Sequence, residues 1–261
     1  MHHLGAPTAD RGVDGRAVKV PKVRPDLRLL FARPDVVLGP IFWTLFRART
    51  QDEREWFYPK GPPVISTGGD DPVQILVIGD GPAAGCGVSI HELGIAGFLA
   101  RYVATDERRG VVVTVSAEPA ASARSTLGGL QDIDLDRYDA IVLMLATTDA
   151  FCLTSRRSWR RSMTGLVQAL ASSNAPSVFV TGAASMQLTR SISPFVRGLT
   201  GRHARLLNFE TRRICTRFGV PMIPLSAVND LNSRTYAQWG RRIASHVCRA
   251  LDGQGAAGRV P

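Results

Sequence analysis

The chain has 261 residues, 44% of them apolar and 21% charged, with a mean hydropathy of +0.01. That length and balance suit one large α/β domain with an extension, and they exclude a disordered chain or a membrane bundle. Basic residues exceed acidic ones by ten, and only three of the 32 are lysines.

The excess is uneven: residues 1–60 carry a net +4, residues 61–149 a net −7 and residues 150–261 a net +13. Such a split suits a surface for phosphate, nucleic acid or anionic lipid, or an arginine-rich solvated exterior. Nucleic acid is not expected, because no zinc finger, RNA-binding aromatic signature or basic heptad accompanies the charge. The four cysteines, Cys86, Cys152, Cys215 and Cys248, are widely spaced. They imply buried reduced thiols rather than a disulfide framework or a zinc site.

Along the chain, residues 1–71 read as an extension. Pro21, Pro25, Pro34 and Pro40 interrupt its first part, and Gly61-Pro62-Pro63 and Gly68-Gly69-Asp70-Asp71-Pro72 close it. Between them Ile41 to Arg54 predicts a short helix with Ile41, Phe42, Leu45 and Phe46 on one side. Because Arg47, Arg49 and Arg54 follow, it could lie on a membrane surface. The longest apolar run, Val36–Phe46, has 11 residues, where a span needs about 20. It also lies too far in to be the core of a signal peptide, so the cytoplasm is the default expectation.

From residue 72 to 252 the pattern is regular. Val73–Ile78 is a short apolar run ending in glycine, as in a buried parallel strand. Helical periodicity follows over His91–Val103, then strands at Val111–Val115 and Tyr138–Leu145. Ser158–Ala171 predicts an amphipathic helix with Trp159, Met163, Leu166, Val167 and Leu170 on one face. A strand at Ser177–Thr181, a helix at Phe195–Phe218, a strand at Pro221–Leu225 and a closing helix at Arg234–Ala250 complete the series, and residues 253–261 read as a tail. Alternating strands and helices predict a three-layer α/β/α sandwich around a five-stranded parallel, flavodoxin-like sheet.

Ligands of such sheets bind beyond the carboxyl ends of the strands. Three ends are suggestive: Gly79-Asp80-Gly81-Pro82-Ala83-Ala84-Gly85-Cys86-Gly87, Ala146-Thr147-Thr148-Asp149-Ala150-Phe151, and Ser226-Ala227-Val228-Asn229-Asp230-Leu231-Asn232. The first approximates a dinucleotide turn, Gly79-x-Gly81-x-x-x-Gly85, with Glu118 as a ribose acceptor. Asp80 beside the phosphates and the long spacing to Glu118 argue against that reading.

The same segments resemble the SGNH (GDSL-type) hydrolases more specifically. ILVIGDGPAAGCGV is similar to the family's first block, a strand followed by Gly-Asp-Ser, three residues and Gly-x-Gly, with Gly79, Asp80, Gly85 and Gly87 in place. IVLMLATTDAF resembles the third block, a strand followed by Gly-x-Asn-Asp, with Asp149 matching. TSRRSWRRSMTGLVQAL looks like the helix that follows in bacterial members. Tyr236-Ala237-Gln238-Trp239 resembles the residues after the family's Asp-x-x-His-Pro. The resemblance spans about residues 72–250 and implies an esterase-type fold without a cofactor.

The departures fall on the reacting groups. The nucleophilic serine corresponds to Gly81, the oxyanion asparagine to Thr148, the histidine to Asp230 and its aspartate partner to Ala227. The loop after the second strand, Ala117-Glu118-Pro119, lacks the second-block glycine. No histidine lies between His203 and His246. A serine needs a base, and its oxyanion needs preorganised donors. The family positions Asp80, Gly81, Thr148, Asp149 and Asp230 therefore predict a crevice that has lost hydrolysis and binds a small acyl or glycosyl ligand or a protein partner, an anionic one being favoured by the charge. Remaining alternatives are an active ester hydrolase or acyltransferase with a non-standard site, such as Cys86 paired with His91. Further ones are a carboxylate cluster of Asp80, Asp149 and Asp230 serving a metal or acid/base chemistry, and a nucleotide-binding module. The plain reading of Asp80 and Asp149 is that they cap the following helices and brace the loops.

Overall fold

The structure, a computed structural model, describes residues 57–183, 194–228 and 230–257. The predicted helix at Ile41–Arg54 lies outside them. Six strands, β1 (Val64–Ser66), β2 (Val73–Gly79), β3 (Val111–Ala117), β4 (Ala140–Met144), β5 (Ser177–Thr181) and β6 (Met222–Ile223), form one sheet in the order β1-β3-β2-β4-β5-β6. Strands β2 to β6 pair in parallel, and β1 pairs antiparallel with β3 through Ile65 opposite Val113. The expected five-stranded parallel sheet is thus corrected to six strands. The sixth was hidden because three residues, of which only Ile65 is buried, carry too little periodicity to be read among the surrounding glycines and prolines.

Helices α1 (Ile95–Glu107), α2 (Ala123–Gly129), α3 (Thr147–Phe151), α4 (Arg156–Ala171) and α5 (Pro194–Phe218) fill the crossovers, and α6 (Ser233–Ala257) follows the last strand. α1 packs against α6, whereas α4 packs against α2 and α5, so the sheet is covered in a layer on each side. All five residues of β4 are buried, as are the predicted core residues Trp159, Met163, Leu166, Val167 and Leu170 of α4.

Two short helices escaped the sequence reading. α2 ends in Gly128-Gly129, which reads as a breaker, yet Ser122 caps it by accepting from Ser125 N at 3.2 Å. α3 spans five residues, shorter than any helical period can reveal. No helix among the described residues is long and apolar enough to cross a membrane.

Candidate active-site crevice

Strand order reverses across the central pair β2–β4, where Gly79 stands opposite Met144. A ligand crevice is expected beyond these two carboxyl ends. Gly79 is required there by close approach, since a Cβ would run into the Met144 carbonyl and the Ala83 side chain. The chain then turns sharply. Asp80 N donates to Met144 O at 3.2 Å, Ala84 N to Asp80 O at 2.9 Å, Cys86 N to Gly81 O at 3.0 Å and Gly87 N to Phe57 O at 2.9 Å. These amides face into the protein, which disfavours the dinucleotide reading, because a pyrophosphate needs them pointing outward.

Asp80 is buried, and its Oδ2 accepts from Thr147 N at 2.7 Å and Thr148 N at 3.1 Å. It therefore holds the start of α3 rather than capping the segment that follows it. Burial pushes its carboxyl up to about 7, opposed by these two backbone bonds. Asp149 is buried too, and its Oδ2 accepts from Ala123 N at 2.8 Å, tying α3 to α2; burial raises its carboxyl as well. Both aspartates brace, as expected, but each braces a loop other than its own or the start of a neighbouring helix.

Position 81 lies between Pro119, on the loop the sequence had placed beside it, and Tyr58, which sequence reasoning did not place there. Leaving aside its chain neighbours, a Cβ at Gly81 would have within 4 Å, among the described residues, only the Tyr58 hydroxyl at 3.2 Å and the Pro119 carbonyl at 3.4 Å. Tyr58 arrives on a strap that crosses the glycine-rich loop: Phe57 accepts from Gly87, and the Pro59 ring lies where a Cβ of Gly85 (φ +86°) would be. Pro119 belongs to the loop that in the family offers an oxyanion N–H; here it turns a carbonyl oxygen toward position 81, an acceptor that repels a developing oxyanion.

Asp80 Oδ1 and the Thr148 hydroxyl are buried without a hydrogen-bond partner among the described residues, and the buried Tyr58 hydroxyl lies beside the Cys86 thiol. Burial raises the Tyr58 phenol far above its ordinary value, so it stays protonated and is no nucleophile near neutrality.

The remaining candidates are dispersed. Asp230 is exposed on the loop before α6, where its backbone carbonyl accepts from Thr235 Oγ1 at 2.8 Å; its charge reaches the Cys86 thiol. That thiol is buried, which pushes it up to about 11, and no hydrogen bond joins it to His91 among the described residues. A neutral thiol without a base is not an activated nucleophile.

His203 bonds Thr154 O at 2.8 Å, and His246 packs edge-on to Phe179; both are half-buried on their helices rather than at position 81. Among the described residues no group of His, Cys, Asp and Glu is placed to hold a metal ion, so Asp80, Asp149 and Asp230 do not converge. The Tyr236–Trp239 segment serves as an anchor: Tyr236 Oη donates to Cys86 O at 2.6 Å and Trp239 Nε1 to Ser226 O at 3.2 Å. It thereby fixes both the glycine-rich loop and the loop carrying Asp230.

Ala146 adopts φ +104°, ψ −5° at the entrance to α3, a conformation natural to glycine. The family's third block has its glycine three residues before the aspartate, so Ala146 occupies that place, a signal legible in the sequence that went unread. The strain stored there is about 1 kcal/mol. Ala146→Gly is expected to raise the melting temperature by a few degrees, and a lowered one in a thermal melt would contradict the assignment.

Among known proteins, no family model and no curated protein matches this chain. Solved structures similar in fold include the native M. smegmatis aryl esterase, at TM-score 0.57 and 15% identity, covering 68% of this chain and 99% of that one. A carbohydrate acetylesterase from Sinorhizobium meliloti aligns at TM-score 0.53 and 14% identity, over 68% of this chain and 99% of its own. An α/β hydrolase from the metagenome of Lake Arreo, Spain, aligns at TM-score 0.54 and 13% identity, over 67% and 95%.

Proposed function

We propose that this chain, whose fold is that of the SGNH hydrolases, binds a small acyl or glycosyl ligand in the crevice around Gly81 without hydrolysing it. The observation that carries this reading is the surroundings of position 81: a side chain there would meet a phenol hydroxyl and a carbonyl oxygen, with no imidazole and, chain neighbours aside, no carboxylate among the described residues within 4 Å of its Cβ. Triad members act as a unit, and losing them costs on the order of a million-fold in rate. The unpartnered Asp80 Oδ1 and Thr148 hydroxyl support retained binding, since a buried polar group left unpaired costs about 1–3 kcal/mol that a ligand's hydroxyl or carbonyl would recover.

The neighbours that are esterases in their own right support the opposite reading, an ester hydrolase or acyltransferase working through a rearranged crevice. The two separate in one experiment. The purified protein is expected to show no turnover of p-nitrophenyl acetate and no labelling by a fluorophosphonate probe, while an acetylated monosaccharide at millimolar concentration raises its melting temperature and does so less in Thr148→Val. Covalent labelling of any residue would overturn the loss of hydrolysis, and an unchanged melting temperature would overturn binding of that ligand class.

A further inference from the structure

The face of the sheet covered by α4 and α5 concentrates the basic excess. α4 opens with Arg156-Arg157-Ser158-Trp159-Arg160-Arg161, four guanidinium groups at the helix end whose dipole disfavours cations. Arg156 with Arg160 and Arg157 with Arg161 are also like-charged pairs four residues apart, which weaken a helix. The fold does not need them, because the apolar face of α4 is buried through Trp159, Met163 and Leu166. Between α4 and α5 runs an open groove of about 690 Å³ lined by Arg157, Arg160, Arg161, Arg213 and Arg217, with Glu210 at its base.

Glu210 is 2% exposed and is engaged by Arg156 and, at 3.8 Å, by Arg160. Its charge is thereby neutralised, which leaves Arg157, Arg161, Arg213 and Arg217 exposed around the groove with no second carboxylate among its described lining. Two of these are steadied in place: Arg213 lies over the Phe209 ring at 5.9 Å and Arg217 over Phe218 at 5.5 Å.

We propose that this groove is a binding site for a small ligand carrying two or more phosphoryl groups. The planar guanidinium fork matches phosphate oxygens in bidentate fashion, and the volume is that of a small-molecule site. A flat membrane surface fits a concave furrow poorly, and Phe209 is the only large apolar side chain exposed on α4 or α5 among the described residues, too little to anchor in lipid. A nucleic-acid strand calls for aromatic platforms along its path, and the Phe209 and Phe218 rings beside the groove are covered by Arg213 and Arg217.

Calorimetric titration of the full chain with inorganic tripolyphosphate tests this. Binding is expected at one ligand per chain, stronger than for orthophosphate and weaker at physiological than at low salt. Arg157→Ala combined with Arg213→Ala should weaken it about ten-fold or more, and Arg161→Gln combined with Arg217→Gln should do the same. Arg242→Ala combined with Arg249→Ala removes equal charge from α6, outside the α4–α5 groove, and should change it less than about two-fold. Equal losses in groove and α6 variants would reduce the effect to diffuse charge and overturn the proposal. So would absence of binding at low salt, or preference for an oligothymidylate or for phosphatidylglycerol vesicles over tripolyphosphate.

Discussion

Gly81→Ser is expected to remain inert toward p-nitrophenyl acetate and unlabelled by a fluorophosphonate, although it restores the atom that the family uses to attack. A serine hydroxyl at neutral pH is a poor nucleophile until a base removes its proton, and no described imidazole, His91 included, comes within 4 Å of a Cβ at position 81; His203 is held by Thr154 O and His246 packs on Phe179. The site would still lack the proton acceptor, its orienting acid and an oxyanion donor from the Pro119 loop, a deficit on the order of a million-fold.

The substitution also crowds the strap, since the new Cβ stands 3.2 Å from the Tyr58 hydroxyl. A loss of about 1 kcal/mol in stability follows, and adding Tyr58→Phe should recover it by removing the crowding oxygen. Labelling at position 81 comparable to an active esterase would mean that a base reaches the crevice, and the proposed loss of hydrolysis would be wrong.

Stability should fall as the pH rises from about 4 to about 8, and Asp80→Asn should remove most of that slope. The folded protein holds the Asp80 proton to about pH 7 because burial penalises the carboxylate, whereas an unfolded aspartate releases it near pH 4. Between these values the folded state binds more protons than the unfolded one, so each pH increment favours unfolding. A difference of about three pKa units corresponds to about 4 kcal/mol, all of it present below pH 4 and lost once the pH passes 7. Asp149, raised in the same direction, adds to the trend.

Asparagine keeps the size and the acceptor that receives Thr147 N and Thr148 N while carrying no charge, so the variant should match the wild type at pH 5 and exceed it at pH 8. Chemical denaturation at the two pH values measures this. A slope unchanged in the variant would show that Asp80 is not its source.

Much of the architecture was readable from short windows. The run Val73–Ile78 and the five apolar positions of α4 repeat at the periods of a buried strand and a one-sided helix, and each was found where the pattern put it. Glycines and an aspartate at the ends of β2 and β4 marked the strand ends beyond which a ligand site is expected, because a close turn and a bracing carboxylate are local requirements of such loops. Val64–Ser66 and α3 were not readable, since three strand residues or five helical ones hold fewer than two full periods and so show no repeat.

The sequence by itself determined the alternating α/β plan, the excess of arginine in the last part of the chain, and the lack of a hydroxyl at position 81 or of a histidine near Asp230. These are properties of residue identity and local spacing. Only the tertiary structure decided that Tyr58 and a Pro119 carbonyl face Gly81, that Asp80 and Asp149 brace loops other than their own, and that arginines of α4 and α5 share one groove around a neutralised Glu210. Each of those facts joins residues far apart in the chain, and such pairings are set by how strands stack and helices pack, which no local pattern encodes.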